Sequence, residues 1–313
     1  GNVMYNLYVD SSNVFPQGTA GRVNGLSVRC VLKGTQTIAD ATYMQDVTLE
    51  MQADTPVGTT ATLIDKRDNQ SYLVGKLADG NIWMLDNLRL GSAGFASGVT
   101  ELNSTNTNTT NSIATSTFTG WNTTSGFTSY NTPMINTASA NDTATTKYGS
   151  GSGKFGVYYN YCAATMQSYC MAKGSGSGNA SQDVCPAGWR MPTGGSNGEY
   201  QALYTAYSSN ATNFRNALST PLSGNFYLSS ARNQGGDGNF WSSTYQDGGS
   251  MYYLGVNSSG VYPQYSGSRN NGFSVRCVLK DTRTISDITY MQDANSEIVT
   301  NTAEGATATL RDQ

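Results

Sequence analysis

Between residues 60 and 84, short apolar runs alternate with polar punctuation. Thr60 to Ile64 and Ser71 to Leu77 flank the polar stretch Lys66-Arg67-Asp68-Asn69-Gln70, and Asp79-Gly80 leads into Asn81-Ile82-Trp83-Met84. Runs of β-prone residues bounded by turn formers predict strands, and Asp-Gly is a strong two-residue hairpin signal, so this region predicts a three-stranded meander. Further along, the period changes. Tyr200, Leu203, Tyr204 and Tyr207 fall at i, i+3, i+4 and i+7, which predicts a helix, with Ser196 or Asn197 as N-cap and Glu199 in the first turn. Residues 213–218 suggest a second short helix. Strands are expected at 156–162, 226–228, 239–241, 251–256 and 273–279, separated by Gly, Ser and Asn turns. The pattern predicts an α+β fold of small antiparallel sheets, one or two short helices and long loops.

One stretch breaks the pattern. From Ser92 to about Gly153 the chain is rich in Ser, Thr, Asn and Gly, with Phe118, Trp121, Phe127 and Tyr130 scattered through it. Such composition seldom buries enough apolar area to order itself, so residues 92–153 read as a surface insertion that these aromatics staple to the domain.

The chain repeats itself. Met4 to Asp65 aligns without a gap on Met251 to Asp312, and more than half of the aligned positions are identical, including the whole of Ser27-Val28-Arg29-Cys30-Val31-Leu32-Lys33 against Ser274 to Lys280. Thr42-Tyr43-Met44-Gln45-Asp46 recurs in the same way at Thr289 to Asp293. A tandem array is expected, with 1–33 the end of one copy, 34–41 a linker, 42–280 a complete copy, 281–288 a second linker and 289–313 the start of the next. Any export signal or anchor is expected outside this stretch.

Composition narrows the chemistry. Only 12% of residues are charged and the net charge is −3, which offers no basic surface to nucleic acid or anionic lipid. No apolar run is long enough to cross a membrane. Histidine is absent, so Ser-His-Asp, Cys-His and His-based zinc chemistries are unavailable. No two acids are spaced to share a face for paired-carboxylate catalysis. Asp65, Asp68, Asp79 and Asp86 suit turns better than a calcium loop, because the Asp-x-Asp-x-Asp-Gly spacing is not met. No cofactor is implied.

The five cysteines are an odd number. If Cys185 pairs with Cys277 inside the complete copy, then Cys30, the repeat equivalent of Cys277, has its partner in the preceding copy. Cys162 and Cys170 would close a local loop. The alternative is five reduced thiols in a cytosolic protein, but the Tyr/Ser/Thr/Asn/Gly-rich context favours an oxidising exterior.

Cys185-Pro-Ala-Gly-Trp-Arg-Met-Pro-Thr, Glu199-Tyr-Gln-Ala-Leu, Phe240-Trp-Ser-Ser-Thr and Gly272-Phe-Ser-Val-Arg-Cys, preceded by Lys76-Leu-Ala-Asp-Gly-Asn-Ile-Trp-Met-Leu-Asp-Asn-Leu, resemble the Fibrobacter succinogenes major paralogous domain family. The copies are similar to those of large surface proteins of Saccharibacteria. The motif order also resembles C-type-lectin-like and formylglycine-generating-enzyme folds, and by analogy this implies a C-type-lectin-like fold. The calcium and sugar motifs of true C-type lectins are missing, and Pro16-Gln17 and Pro263-Gln264 are poor substitutes.

Trp83, Trp189 and Trp241 are expected in the core, and Arg190 and Arg276 are expected to brace strands. Trp121, within the polar insertion, is a candidate staple or ligand contact. Tyr245, Tyr252, Tyr253, Tyr262 and Tyr265 are candidates for an interface between copies, with surface glycans as the alternative partner. The resulting expectation is a non-enzymatic, extracellular cell-surface protein whose adjacent copies pack into a fibre or filament. The alternative is a carbohydrate-binding adhesin. An oxidase-like enzyme would need reactive cysteines.

Overall fold

The computed structural model describes residues 3–9, 12–21, 35–121, 126–137, 147–170, 176–280 and 306–309. Cys30, the linker at 281–288 and nearly all of 289–313 lie outside the described residues. The chain divides into two compact units, Gly1–Thr35 and Gln36–Gln313.

In the first unit, Val3–Val9 pairs antiparallel with Val14–Gly21. Met4 faces Ala20, Asn6 faces Gly18, Tyr8 faces Phe15, and the register shifts between Asn6 and Tyr8.

The second unit is α+β, built mostly of small antiparallel sheets. Its central sheet runs, in spatial order, Trp189–Arg190, Val278–Leu279, Ile82–Met84, Ser71–Lys76 and Thr60–Ile64. The last three form the expected meander. The pleat of a strand sends neighbouring side chains to opposite faces, and both faces of this sheet are covered. Ile82 and Met84 enter one apolar cluster with Val74, Trp189 and Leu279, whereas Trp83 and Val278 enter another. That second cluster is closed by the helices Glu199–Ala206 and Ala211–Leu218 through Tyr200, Leu203, Phe214 and Leu218.

A distal three-stranded sheet follows. Asp237–Asp247, Ser250–Asn257 and Val261–Ser268 are antiparallel in that order. Leu254, Val256 and Val261 project from it into the cluster beneath the helices.

Several expectations need correction. The insertion is more structured than its composition suggests: most of its described residues are exposed or half-buried, but Phe118, Trp121 and Phe127 are buried together with Leu102, Ile113 and Ile135, Thr115–Trp121 is helical, and Ile135–Asn136 pairs with Tyr158–Tyr159. Widely spaced apolar residues suffice because each is seated on a core that the rest of the domain supplies. The strand expected at 156–162 is cut to Tyr158–Tyr159, because the Asn160 side chain accepts from the Ala163 N–H at 3.0 Å and starts a helical turn over Tyr161–Ala164. The helix at 199 is capped by neither Ser196 nor Asn197; Gly198 is its N-cap, and the Glu199 N–H donates to Thr193 Oγ1 at 3.0 Å. Among the described residues there are five α-helical segments rather than one or two. Part of the expected linker at 34–41 is packed: Ile38–Asp40 forms a 3-10 turn, Ile38 is buried, and its N–H donates to Thr55 Oγ1 at 3.0 Å.

Candidate functional site

Two disulfides fix the framework. Cys185 and Cys277 join the segment before Trp189 to the strand that closes the central sheet, across a sequence separation of 92. Cys162 and Cys170 clip the turn after Tyr161–Ala164. Such bonds form and persist in oxidising surroundings, as in secreted and extracellular proteins. No helix among the described residues is long and apolar enough to cross a membrane.

From this framework a run of aromatic rings leads outward to the distal sheet. Tyr161 meets Trp241 edge-on at 5.2 Å, Trp241 packs on Phe273 at 4.2 Å, and Phe273 on Tyr253 at 4.7 Å. Tyr253 then meets Tyr265 at 5.8 Å, and Tyr265 stacks on Tyr262 at 4.5 Å with ring planes 7° apart. The inner end is anchored by Trp241 Nε1–H donating to the Tyr159 carbonyl at 2.8 Å. The outer end is open, with Tyr265 46% exposed. Burial, then the neighbouring Tyr265, pushes the Tyr253 hydroxyl up to about 12, so it stays a neutral donor and acceptor at ordinary pH.

Of the aromatics expected to act together, three gather here. Tyr253, Tyr262 and Tyr265 share one face of the Ser250–Asn257 and Val261–Ser268 hairpin, because Tyr253 is opposite Tyr265 and Gly255 is opposite Tyr262. Tyr252 lies on the other face, its ring over Gly195. Tyr245 is apart from both, beside Gly176. Trp121 is 6% exposed and packed on Phe118 at 4.9 Å, so it acts as a staple and has no face left for a ligand.

The charged residues do structural work. Arg190 forms a two-pronged pair with Glu199 at 2.6 and 2.7 Å, and Thr193 N–H donates to the same carboxylate. Buried Arg276 donates to Asn87 Oδ1 at 2.8 Å and to the carbonyls of Leu218 and Ser219. Asp86 receives the N–H groups of Leu73 and Ser152, and Asp79 receives Trp83 Nε1–H at 2.9 Å. Among the described residues no three His, Cys, Asp or Glu side chains are grouped to hold a metal ion.

Two buried groups escaped the sequence reading. Arg67, in the apparently solvated polar turn, is fully buried; it pairs with Asp65 and reaches the Val184 carbonyl at 2.7 Å, tying the meander to the Cys185 segment. Asp183 is buried and accepts from the N–H groups of Cys185 and Met191 and from Asn108 Nδ2. A charged turn normally signals solvent, and nothing in the local sequence marks these residues otherwise.

No protein-family model, curated protein or solved structure matches this chain.

Proposed function

We propose that the chain is part of a non-enzymatic, extracellular tandem-repeat protein whose disulfide-bonded copies form a structural or adhesive fibre at the cell surface. One observation carries this reading. The first-unit hairpin and the distal hairpin, 247 residues apart in the aligned sequence, have the same register. Met4 faces Ala20 as Met251 faces Gly267, Tyr5 faces Thr19 as Tyr252 faces Ser266, and the shift between Asn6 and Tyr8 recurs between Tyr253 and Gly255. A shared bulge supports descent from one folded unit, since bulges are specific features of a strand pair.

The joint between copies is short. Lys280 still belongs to the fold, its N–H bonded to the Gly188 carbonyl, and Ile285 is the sequence equivalent of buried Ile38. The five Cα–Cα steps from Lys280 to Ile285 reach about 17 Å at full extension, a short tether between successive copies. Copies held this closely pack through nearest neighbours, so reach grows with copy number. Small-angle scattering on a polypeptide with two consecutive copies tests this: a single elongated, rigid particle is expected, and freely jointed bodies would reject the fibre.

A further inference from the structure

Of the described concavities, one includes Asp79 and another Lys280, whereas a third, of about 480 Å³, carries no charge: it is lined by Asn111, Ser112, Ile113, Ala114, Thr117 and Gln167. Two segments form its walls. Residues 111–117 lead into the helix Thr115–Trp121, and Gln167 belongs to the turn that Cys162 and Cys170 clip. A single residue ties the two together. The half-buried Gln182 accepts through Oε1 from Thr109 Oγ1 at 2.5 Å, the Thr110 N–H at 2.8 Å and the Asn111 N–H at 3.2 Å, and its carbonyl accepts from Ser168 Oγ at 3.3 Å. The second wall is also held from below. Met166 and Gln167 have φ of 46° and 69°, left-handed values that such residues adopt only when their surroundings impose them. Met166 is buried in the core, and the Gln167 N–H donates to the Cys162 carbonyl at 2.9 Å, which leaves the Gln167 side chain exposed at the cavity.

The walls are fixed, but the groups they present are uncommitted. Among the described residues the Asn111 and Gln167 amides and the Thr117 hydroxyl have no hydrogen-bond partner. We propose that this cavity binds the end of a neutral saccharide, with Asn111, Gln167 and Thr117 as the contacting groups and Gln182 as the residue that positions them. Three features define the ligand. A primary amide presents a donor and an acceptor in one plane, which matches a pair of adjacent sugar hydroxyls, and a hydroxyl serves in either role. An acidic sugar has no cation to meet here, and Glu101 at the rim, already shared between Ser112 Oγ and Asn103 Nδ2, would repel it. The volume lies within the ordinary range of small-ligand sites, while the only apolar lining is Ile113 and Ala114, too little to seat the side chains of a peptide. With no aromatic platform in the lining, single-site affinity is low and adhesion comes from many copies acting together. The proposal gives the adhesive reading a site. Binding needs one copy only, so it stands whether or not the copies form a rigid fibre.

The test uses the full chain and ligand-observed saturation-transfer NMR, which reads weak binding. The probes are maltose, cellobiose, lactose, mannobiose and chitobiose, with galacturonic acid and triglycine as the acidic and peptide comparisons, each at about 10 mM, well above the dissociation constant of about 1 mM expected for the best neutral sugar. N111A and Q167A are each expected to weaken that sugar about 3- to 10-fold, the loss of one neutral hydrogen bond, and to melt within about 2 °C of the parent because both side chains are exposed and uncommitted. Q182A is expected to weaken it at least as much although Gln182 does not line the cavity, and Q182E, which keeps an accepting oxygen, to restore it. Absence of binding to all five neutral sugars would overturn the proposal, as would unchanged binding in both N111A and Q167A. Tighter binding of galacturonic acid, or of triglycine, would overturn it in favour of an anionic or a peptide ligand.

Discussion

Arg67 and Asp65, two residues apart in one turn, form an ion pair of 2.7 Å from which solvent is wholly excluded. Arg67 Nε also lies 3.0 Å from each carboxylate oxygen, and Nη1 donates to Thr107 Oγ1 and the Val184 carbonyl. Desolvating both charges is costly, and the added hydrogen bonds offset that cost. Removing one partner leaves the other charged and unpaired in the core. Arg67→Ala is therefore expected to destabilise the domain by about 3–5 kcal/mol, measured by chemical denaturation. A loss below about 1 kcal/mol would show that the site admits water.

The two disulfides differ in what they constrain. Chain entropy makes the cross-link with a separation of 92 worth about 4–5 kcal/mol and the one with a separation of 8 about 2–3 kcal/mol. Paired serine replacements at Cys185 and Cys277 are expected to lower the melting temperature more than those at Cys162 and Cys170. The reverse order would indicate that the short loop holds native contacts the long one does not.

Burial pushes the carboxyls of Asp68 and Asp183 up to about 6; at Asp68 the adjacent Asp65 adds to the effect and Arg67 opposes it. A carboxyl that binds its proton more tightly when folded stabilises the fold fully below the unfolded range near pH 4, and this contribution is lost as pH rises through about 6. The melting temperature is expected to fall between pH 4 and pH 7, and Asp183→Asn to flatten that slope. Glu199 acts in the opposite sense: burial alone would raise its carboxyl, but Arg190 and the Thr193 hydrogen bonds outweigh it and hold the group below the ordinary range, so its contribution is lost in stronger acid. A melting temperature that rose steadily from pH 4 to pH 7 would contradict the assignment.

Trp121→Ala removes a ring that joins the insertion to the core through Phe118. A loss of about 3–5 kcal/mol is expected, as for other buried aromatic truncations. Limited proteolysis should then cut first within residues 92–121. Unchanged protection there would mean that Leu102 and Ile113 anchor the segment alone.

Gly255→Tyr alone places a side chain where the Tyr265 ring already lies, and destabilisation is expected. Adding Tyr265→Gly should recover much of the loss, with a coupling of about 1–3 kcal/mol in a double-mutant cycle. The aligned first hairpin has the reverse arrangement, Tyr8 and Gly18, and strictly additive losses would show that the two positions do not compensate each other.

The meander and the helices were legible because their signals are local. Asp79-Gly80 fixes a turn, and the Tyr200, Leu203, Tyr204 and Tyr207 stripe fixes a helix, whatever surrounds them. The Val261–Ser268 strand was missed because Pro263 and its Ser and Gly neighbours read as a loop; Pro263 is accommodated because this is an edge strand. In the insertion the aromatic anchors were legible, but the burial of Leu102, Ile113 and Ile135 and the helix Thr115–Trp121 were not, because apolar residues this sparse show no period. The tyrosines of the distal hairpin were visible as a group, but their division between two faces follows from strand register and the bulge between Tyr253 and Gly255. Arg67 and Asp183 carried no local signal, since their burial depends on segments more than a hundred residues apart in the case of Arg67 and Val184.

The central sheet is closed in its middle by Val278–Leu279, which arrives nearly two hundred residues after the Ile82–Met84 strand it joins. A growing polypeptide must hold that slot vacant until the end of the domain has been made, so truncation before Val278 leaves two exposed strand edges rather than a smaller folded body. Val31-Leu32, within a segment identical to the one that fills the slot, travels on the same chain. The two segments part at one residue upstream, where buried Phe273, packed on Trp241 at 4.2 Å, aligns with Leu26, so the ring at this position is what marks the strand that belongs to the slot.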